Sequence, residues 1–142
     1  VFLRVKCDSM PQRMTHLLPH ERRIWRKFSL SPPFTLDDVT FDLHLGRGVP
    51  LDPDWSPEIQ YMATTLTQKR IDVVARSGGD VWILEIKRRA GFSCLGQLLG
   101  YGVLFEEEFA PSRPPRLAVI AENVMPDIME ILVEFGISLF LV

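Results

Sequence analysis

Apolar and polar positions along the chain change period several times, and each change marks an element. His20 to Phe28 places Ile24, Trp25 and Phe28 on one edge against Arg22, Arg23, Arg26 and Lys27, which predicts a short helix closed by Ser31-Pro32-Pro33. Val39 to Leu45 alternates Val39, Phe41, Leu43 and Leu45 against Thr40, Asp42 and His44, a strand closed by Gly46-Arg47-Gly48. Pro50 to Pro57 reads as a loop. Ser56 is an N-cap candidate, with Pro57 opening a helix to about Leu66. Arg70–Arg76 and Val81–Lys87 are strand-like runs around the tight turn Ser77-Gly78-Gly79-Asp80, and together they predict a β-hairpin. Ala90-Gly91-Phe92 breaks out of it, and Ser93 is the expected N-cap of a long helix from Cys94 to about Phe109. Gly96, Gly100 and Gly102 each cost that helix ~1 kcal/mol relative to Ala, tolerable where it packs closely on a sheet. Pro111–Pro115 is a loop, Arg116–Ala121 a buried-type strand, Pro126–Phe135 a helix and Ile137–Val142 a last strand. The first dozen residues read as an arm or short strand.

This order predicts one α/β domain over residues 1–142: a central mixed β-sheet flanked by helices, with an antiparallel hairpin and then strands reached through helical crossovers. The 142 residues are 46% apolar and 24% charged, which excludes intrinsic disorder. A chain of this length buries roughly 68–70% of its unfolded surface and needs no disulfide staple. The most apolar stretch, Ile128–Val142, is broken by Glu130, Glu134 and Gly136, well short of the roughly 20 apolar residues of a membrane span. Arg4, Lys6 and Asp8 interrupt any signal-peptide core at the start. Cys7 and Cys94, the two cysteines, lack a partner motif and are expected as reduced thiols in a cytoplasmic protein. Net charge is −2, but residues 1–89 carry 14 Lys/Arg against 11 Asp/Glu, and residues 90–142 carry 2 against 7. The basic excess shares the half that holds the hairpin, a hint of a polyanionic partner.

On the hairpin, alternation puts Glu85 and Lys87 on one face and Trp82, Leu84 and Ile86 on the other. Asp72 shares its face with Arg70, Val74 and Arg76, with Ile71, Val73 and Ala75 opposite. In the simplest register Asp72 and Glu85 are neighbours near the open end. Two repelling carboxylates suit a hard divalent cation such as Mg²⁺ or Mn²⁺, and an adjacent ammonium suits a reacting phosphate. The bland alternative is a surface charge ladder with Lys87 paired across to Asp72.

Asp72 followed, after twelve intervening residues, by Glu85-Ile86-Lys87 resembles the signature of the PD-(D/E)XK nuclease superfamily, whose acid lies on one strand and whose Glu-x-Lys lies on the next, before a helix and a strand. Gln97 and Tyr101, at i and i+4 on the following helix, resemble the Gln-x-x-x-Tyr motif of its RecB-like branch. The resemblance covers roughly residues 20–121 and implies the αβββαβ restriction-endonuclease-like core, with an added C-terminal helix and strand. Ile71 stands where the family usually has proline, and 46–69 is an insertion. The resemblance implies a Mg²⁺-dependent deoxyribonuclease: Asp72, Glu85 and the Ile86 carbonyl as metal ligands, Lys87 acting on the attacking water, and Gln97 and Tyr101 ordering the site. A further carboxylate comes from the first helix, for which Glu21 is the best match and Glu58 the rival.

Other residues carry less. His16, His20 and His44 lack zinc spacing. Trp25, Trp55 and Trp82 are expected in the core, Glu106-Glu107-Glu108 at a solvated helix end, and Arg88-Arg89 either on backbone phosphates or in solvent. No Walker-type loop is present. The rival function is a nuclease-like domain serving assembly or DNA binding, and a third reading is an unrelated α/β protein with surface charges here. A homodimer or a partner protein is expected, because a small core grips a duplex poorly alone.

Overall fold

The structure, a computed structural model, describes residues 16–142; the expected N-terminal arm and Cys7 lie outside them. Helix α1 (Pro19–Leu30) leads to β1 (Asp38–Leu45), α2 (Pro57–Thr67), β2 (Lys69–Ser77), β3 (Asp80–Ala90), α3 (Phe92–Phe109), β4 (Arg116–Val124), α4 (Pro126–Glu134) and β5 (Ser138–Leu141). The sheet order is β1-β2-β3-β4-β5, antiparallel from β1 to β3 and parallel from β3 to β5. Every element predicted within the described residues is present. Among the described residues no helix is long and apolar enough to cross a membrane.

Two apolar layers clamp the sheet. On one face α1 inserts Ile24, Trp25 and Phe28 against Val73, Ala75, Leu84 and Ile86. Phe34 stacks flat on Trp82 in the same layer, with centroids 4.3 Å apart and planes 6° from parallel. On the other face α3 and α4 bury Cys94, Leu98, Phe105, Ile128 and Leu132 against Ile71, Val74, Ile83 and Val119. Burying each large side chain is worth ~1.5–3 kcal/mol. Successive crossovers β3–α3–β4 and β4–α4–β5 step in one direction across the sheet, so a fixed hand puts both helices on the same face.

Local chemistry explains the element ends. The Ser56 hydroxyl accepts the Ile59 N–H at 3.3 Å and caps α2 as expected. Gly78 takes φ +58 in the hairpin turn, where the Asp37 carboxylate accepts its N–H at 2.6 Å. The expected Ser93 cap is corrected. Strand β3 continues to Ala90 and α3 starts at Phe92, so its N-cap is Gly91, whose carbonyl accepts from the Cys94 thiol at 2.9 Å. A Cβ on Gly91 would lie 2.9 Å from the Met125 sulfur, so a side chain there would require the flexible Met125 to shift. The reason given for the α3 glycines holds for one position. Gly102 lies against Leu117 of β4, whereas Gly96 and Gly100 face open space.

Strand alternation fails at one point. Val39 and Phe41 pack with the α1 layer, but Leu43 and Leu45 pack with the α3 layer. Val73 and Ala75 likewise face α1 while Ile71 faces α3, so the expected common face of Ile71, Val73 and Ala75 is corrected. Phe41 pairs with Val73 and Leu43 with Ile71, so β1 and β2 invert together between these pairs, at Asp42 and Asp72. Asp42 has φ +54, a left-handed backbone that a regular strand does not contain. Trp55, expected in the core, is 37% exposed in the 46–69 insertion, whose helix α2 buries none of its residues.

Candidate metal and phosphodiester site

The acid pair sits where the hairpin ladder opens. Residues of β2 and β3 pair from Ser77↔Asp80 to Val73↔Leu84. The next step would set Asp72 opposite Glu85. There the Asp72 carboxylate itself accepts the Ile86 N–H, at 2.9 Å. A side chain thus replaces a backbone acceptor, and Asp72 is drawn alongside Glu85.

Glu85 is 2% exposed, the one charged residue in the buried set of described residues. Its Oε1 lies 2.9 Å from Lys87 Nζ, two residues on along the same face. Its Oε2 is buried and has no hydrogen-bond partner among the described residues. Burial, followed by repulsion from Asp72, pushes the Glu85 carboxyl up to about 7 against the relief given by Lys87. Burial also raises Asp72, to about 6, where the Ile86 N–H opposes the shift and Glu21 and Asp42 add repulsion. For Lys87, burial works against the charged form, but Glu85 and Asp72 outweigh it and hold the ammonium above its ordinary value.

Several other residues converge here. Glu21 is the third residue of α1, and its Oε2 accepts the Leu18 N–H at 2.7 Å, half of a capping box. From that post its charge acts on both Asp72 and Glu85. Glu58 is exposed on α2 and is not among the charges that shift either acid. On α3 the Gln97 amide donates to the Tyr101 hydroxyl at 3.3 Å, and Gln97 Oε1 is buried without a partner among the described residues. Burial raises the Tyr101 phenol, and the Glu85 charge raises it further. Arg88 and Arg89 are exposed at the strand end, and the Glu108 carboxylate accepts the Gly46 N–H at 2.9 Å rather than being wholly solvated.

Asp42 is the neighbour that sequence reasoning missed. Strict alternation gave it a solvent-facing place on a strand. Its carboxylate lies 3.5 Å from His44 Nε2, 3.6 Å from Arg70 Nη1 and 3.7 Å from His16 Nδ1, and it repels Asp72. The available signal was an aspartate inside an apolar strand, a residue poor in strands and tolerant of the left-handed region.

A divalent cation fits this arrangement. Among the described residues no group of three or more His, Cys, Asp or Glu side chains is placed to hold a metal ion. Mg²⁺, however, is commonly held by one or two carboxylates, with water filling the remaining positions. The unpartnered Glu85 Oε2, and a Glu85 carboxyl raised by burial and by the Asp72 charge, are what such an ion would relieve.

No family model and no curated protein matches the chain. Solved structures do. EndoMS in its apo form superposes with a TM-score of 0.51 at 16% identity, over 86% of this chain and 45% of that one. EndoMS in a complex with dsDNA gives 0.51 at 14% identity, over 96% and 48%. A repair endonuclease from Pyrococcus abyssi gives 0.47 at 15% identity, over 96% and 48%. The chain therefore spans about half the length of these structures, and at this identity the likeness to EndoMS is one of fold.

Proposed function

We propose that this chain is a metal-dependent nuclease domain of the PD-(D/E)XK type that hydrolyses phosphodiester bonds in DNA. The observation that carries the reading is the acid pair: a half-buried Asp72 fastened to the Ile86 N–H beside a buried Glu85 that has one oxygen on Lys87 and one bare. A surface charge ladder would leave these groups in water, paired across the strands. Here Lys87 pairs along its own strand with a carboxylate that is 2% exposed. The fold it shares with EndoMS, one structure of which holds dsDNA, supports DNA as the substrate.

Asp72 and Glu85 would hold Mg²⁺ or Mn²⁺, with the Ile86 carbonyl as a further ligand, and the expected Glu21 carboxylate acts on the pair through its charge from its capping post on α1. When bound, the cation supplies Lewis-acid polarisation of a phosphate oxygen. Lys87 is held charged by Glu85, so its part is that of a cationic donor: it orients the attacking water and offsets charge growing on the phosphoryl oxygens. It is not poised as a free base. Gln97 and Tyr101 order the α3 side of the site, and the unpartnered Gln97 oxygen is free to accept from substrate or water. The Gln-x-x-x-Tyr pair agrees with the RecB-like branch.

The test is cleavage of single-stranded, duplex and branched DNA with Mg²⁺, using Lys87→Ala and Asp72→Ala as controls. Activity that both substitutions abolish supports the assignment; activity equal in the variants removes it. Duplex binding without cleavage would instead favour the assembly or DNA-binding role.

A further inference from the structure

We infer that Asp42 is the positioning residue of the acid site: its left-handed backbone drives the joint inversion of β1 and β2 that brings the Asp72 carboxylate onto the Ile86 N–H. Phe41 and Val73 face α1, Leu43 and Ile71 face α3, and Asp42 and Asp72 lie between these two pairs, at the step where the β1–β2 pairing is interrupted. Two paired strands cannot turn over independently, because each register pair must stay in one layer. The left-handed residue that permits the turn is on β1, at Asp42 with φ +54. Among the described residues Ala110 is the other non-glycine with positive φ, and it ends α3, where that conformation is ordinary.

The inversion has a direct consequence for chemistry. An uninterrupted strand would keep Asp72 in simple alternation with Ile71 and Val73, its side chain normal to the sheet. With the turnover, the carboxylate reaches across to Ile86, the residue between Glu85 and Lys87. The Asp42 carboxylate reinforces this by holding Arg70, two residues before Asp72, at 3.6 Å. A strained backbone residue at this point is the kind of cost that a fold sustains to fix a functional group.

The consequence for metal binding rests on the proposed nuclease reading; the positioning itself does not. Asp42→Gly and Asp42→Ala both remove the carboxylate, but only glycine adopts φ near +54 freely. The readouts are hydrogen exchange of the Ile86 amide in metal-free protein, normalised to the Leu84 amide in the intact ladder, and Mn²⁺ affinity by calorimetry. The glycine variant should keep Ile86 protection near that of the wild type, and the alanine variant should lose about tenfold relative to it, with Mn²⁺ affinity following the same order. Equal protection in the two variants, whether high or low, overturns the inference. If the alanine protein fails to fold, Asp42→Asn against Asp42→Ser repeats the comparison, since Asn tolerates the left-handed region. A wild type that binds no Mn²⁺ while Ile86 follows the glycine/alanine order would defeat the nuclease reading alone.

Discussion

The Asp72 carboxylate accepts the Ile86 N–H at 2.9 Å, across the point where β2 and β3 stop pairing through their backbones. One oxygen is thereby committed to structure; on the proposed function the other takes the ligand. Asp72→Asn keeps a carbonyl oxygen for Ile86 and removes the charge. It should fold, yet lose Mn²⁺ affinity by at least the ~10–100-fold associated with residues one step further from a metal. Calorimetry with a parallel circular-dichroism melt separates the two effects.

Lys87 is predicted to divide binding from catalysis. Its ammonium, 2.9 Å from Glu85, offsets charge rather than contributing a ligand. Lys87→Ala should still take up Mn²⁺, while single-turnover cleavage falls by roughly 10²–10³-fold, the range for removing one donor to developing charge. Lost Mn²⁺ uptake together with a lower melting temperature would assign Lys87 a structural part instead.

Stability should fall with rising pH in metal-free protein. Folded Glu85 titrates at about 7 against an ordinary value of 4.5, so between these values the folded state holds a proton that the unfolded state has released. Unfolding therefore becomes easier as pH climbs through that window. Asp72 acts in the same sense between 3.8 and about 6. Glu85→Gln removes the larger effect. Thermal melts from pH 4.5 to 8 should show the variant gaining on the wild type throughout, and a constant difference would contradict the assignment.

On α3 the Tyr101 hydroxyl receives the Gln97 amide at 3.3 Å. Tyr101→Phe deletes that acceptor at a stability cost of about 0.5–1.5 kcal/mol. Cleavage should drop while Mn²⁺ affinity holds, because neither group is placed as a ligand. Unchanged steady-state rates would put the Gln97–Tyr101 pair outside the reacting centre.

How much of this was legible follows from which forces are local. Ile24, Trp25 and Phe28 share a helix edge whatever surrounds them, and Gly78-Gly79 between strand-like runs specifies a hairpin, so elements and order could be read directly. The pairing of Asp72 with the Glu85 segment followed from that hairpin. The inversion at Asp42 did not, because a left-handed residue leaves no period in the pattern, and the alternation of Val39, Phe41, Leu43 and Leu45 pointed the other way. The cap of α3 differs from the expected Ser93 because β3 runs three residues past Lys87 and the helix starts at once after Gly91. Trp55 was misjudged because aromaticity favours burial only where an element packs, and α2 buries nothing.

On the proposed function, the half-buried Asp72 and the buried Glu85 share a divalent ion. Calorimetric titration of Mn²⁺ into the wild type and into Glu85→Gln tests it most directly, since the amide keeps the shape and removes the charge. Saturable uptake by the wild type that is lost in the variant is the predicted result; no uptake by the wild type, or equal uptake by both, would contradict it.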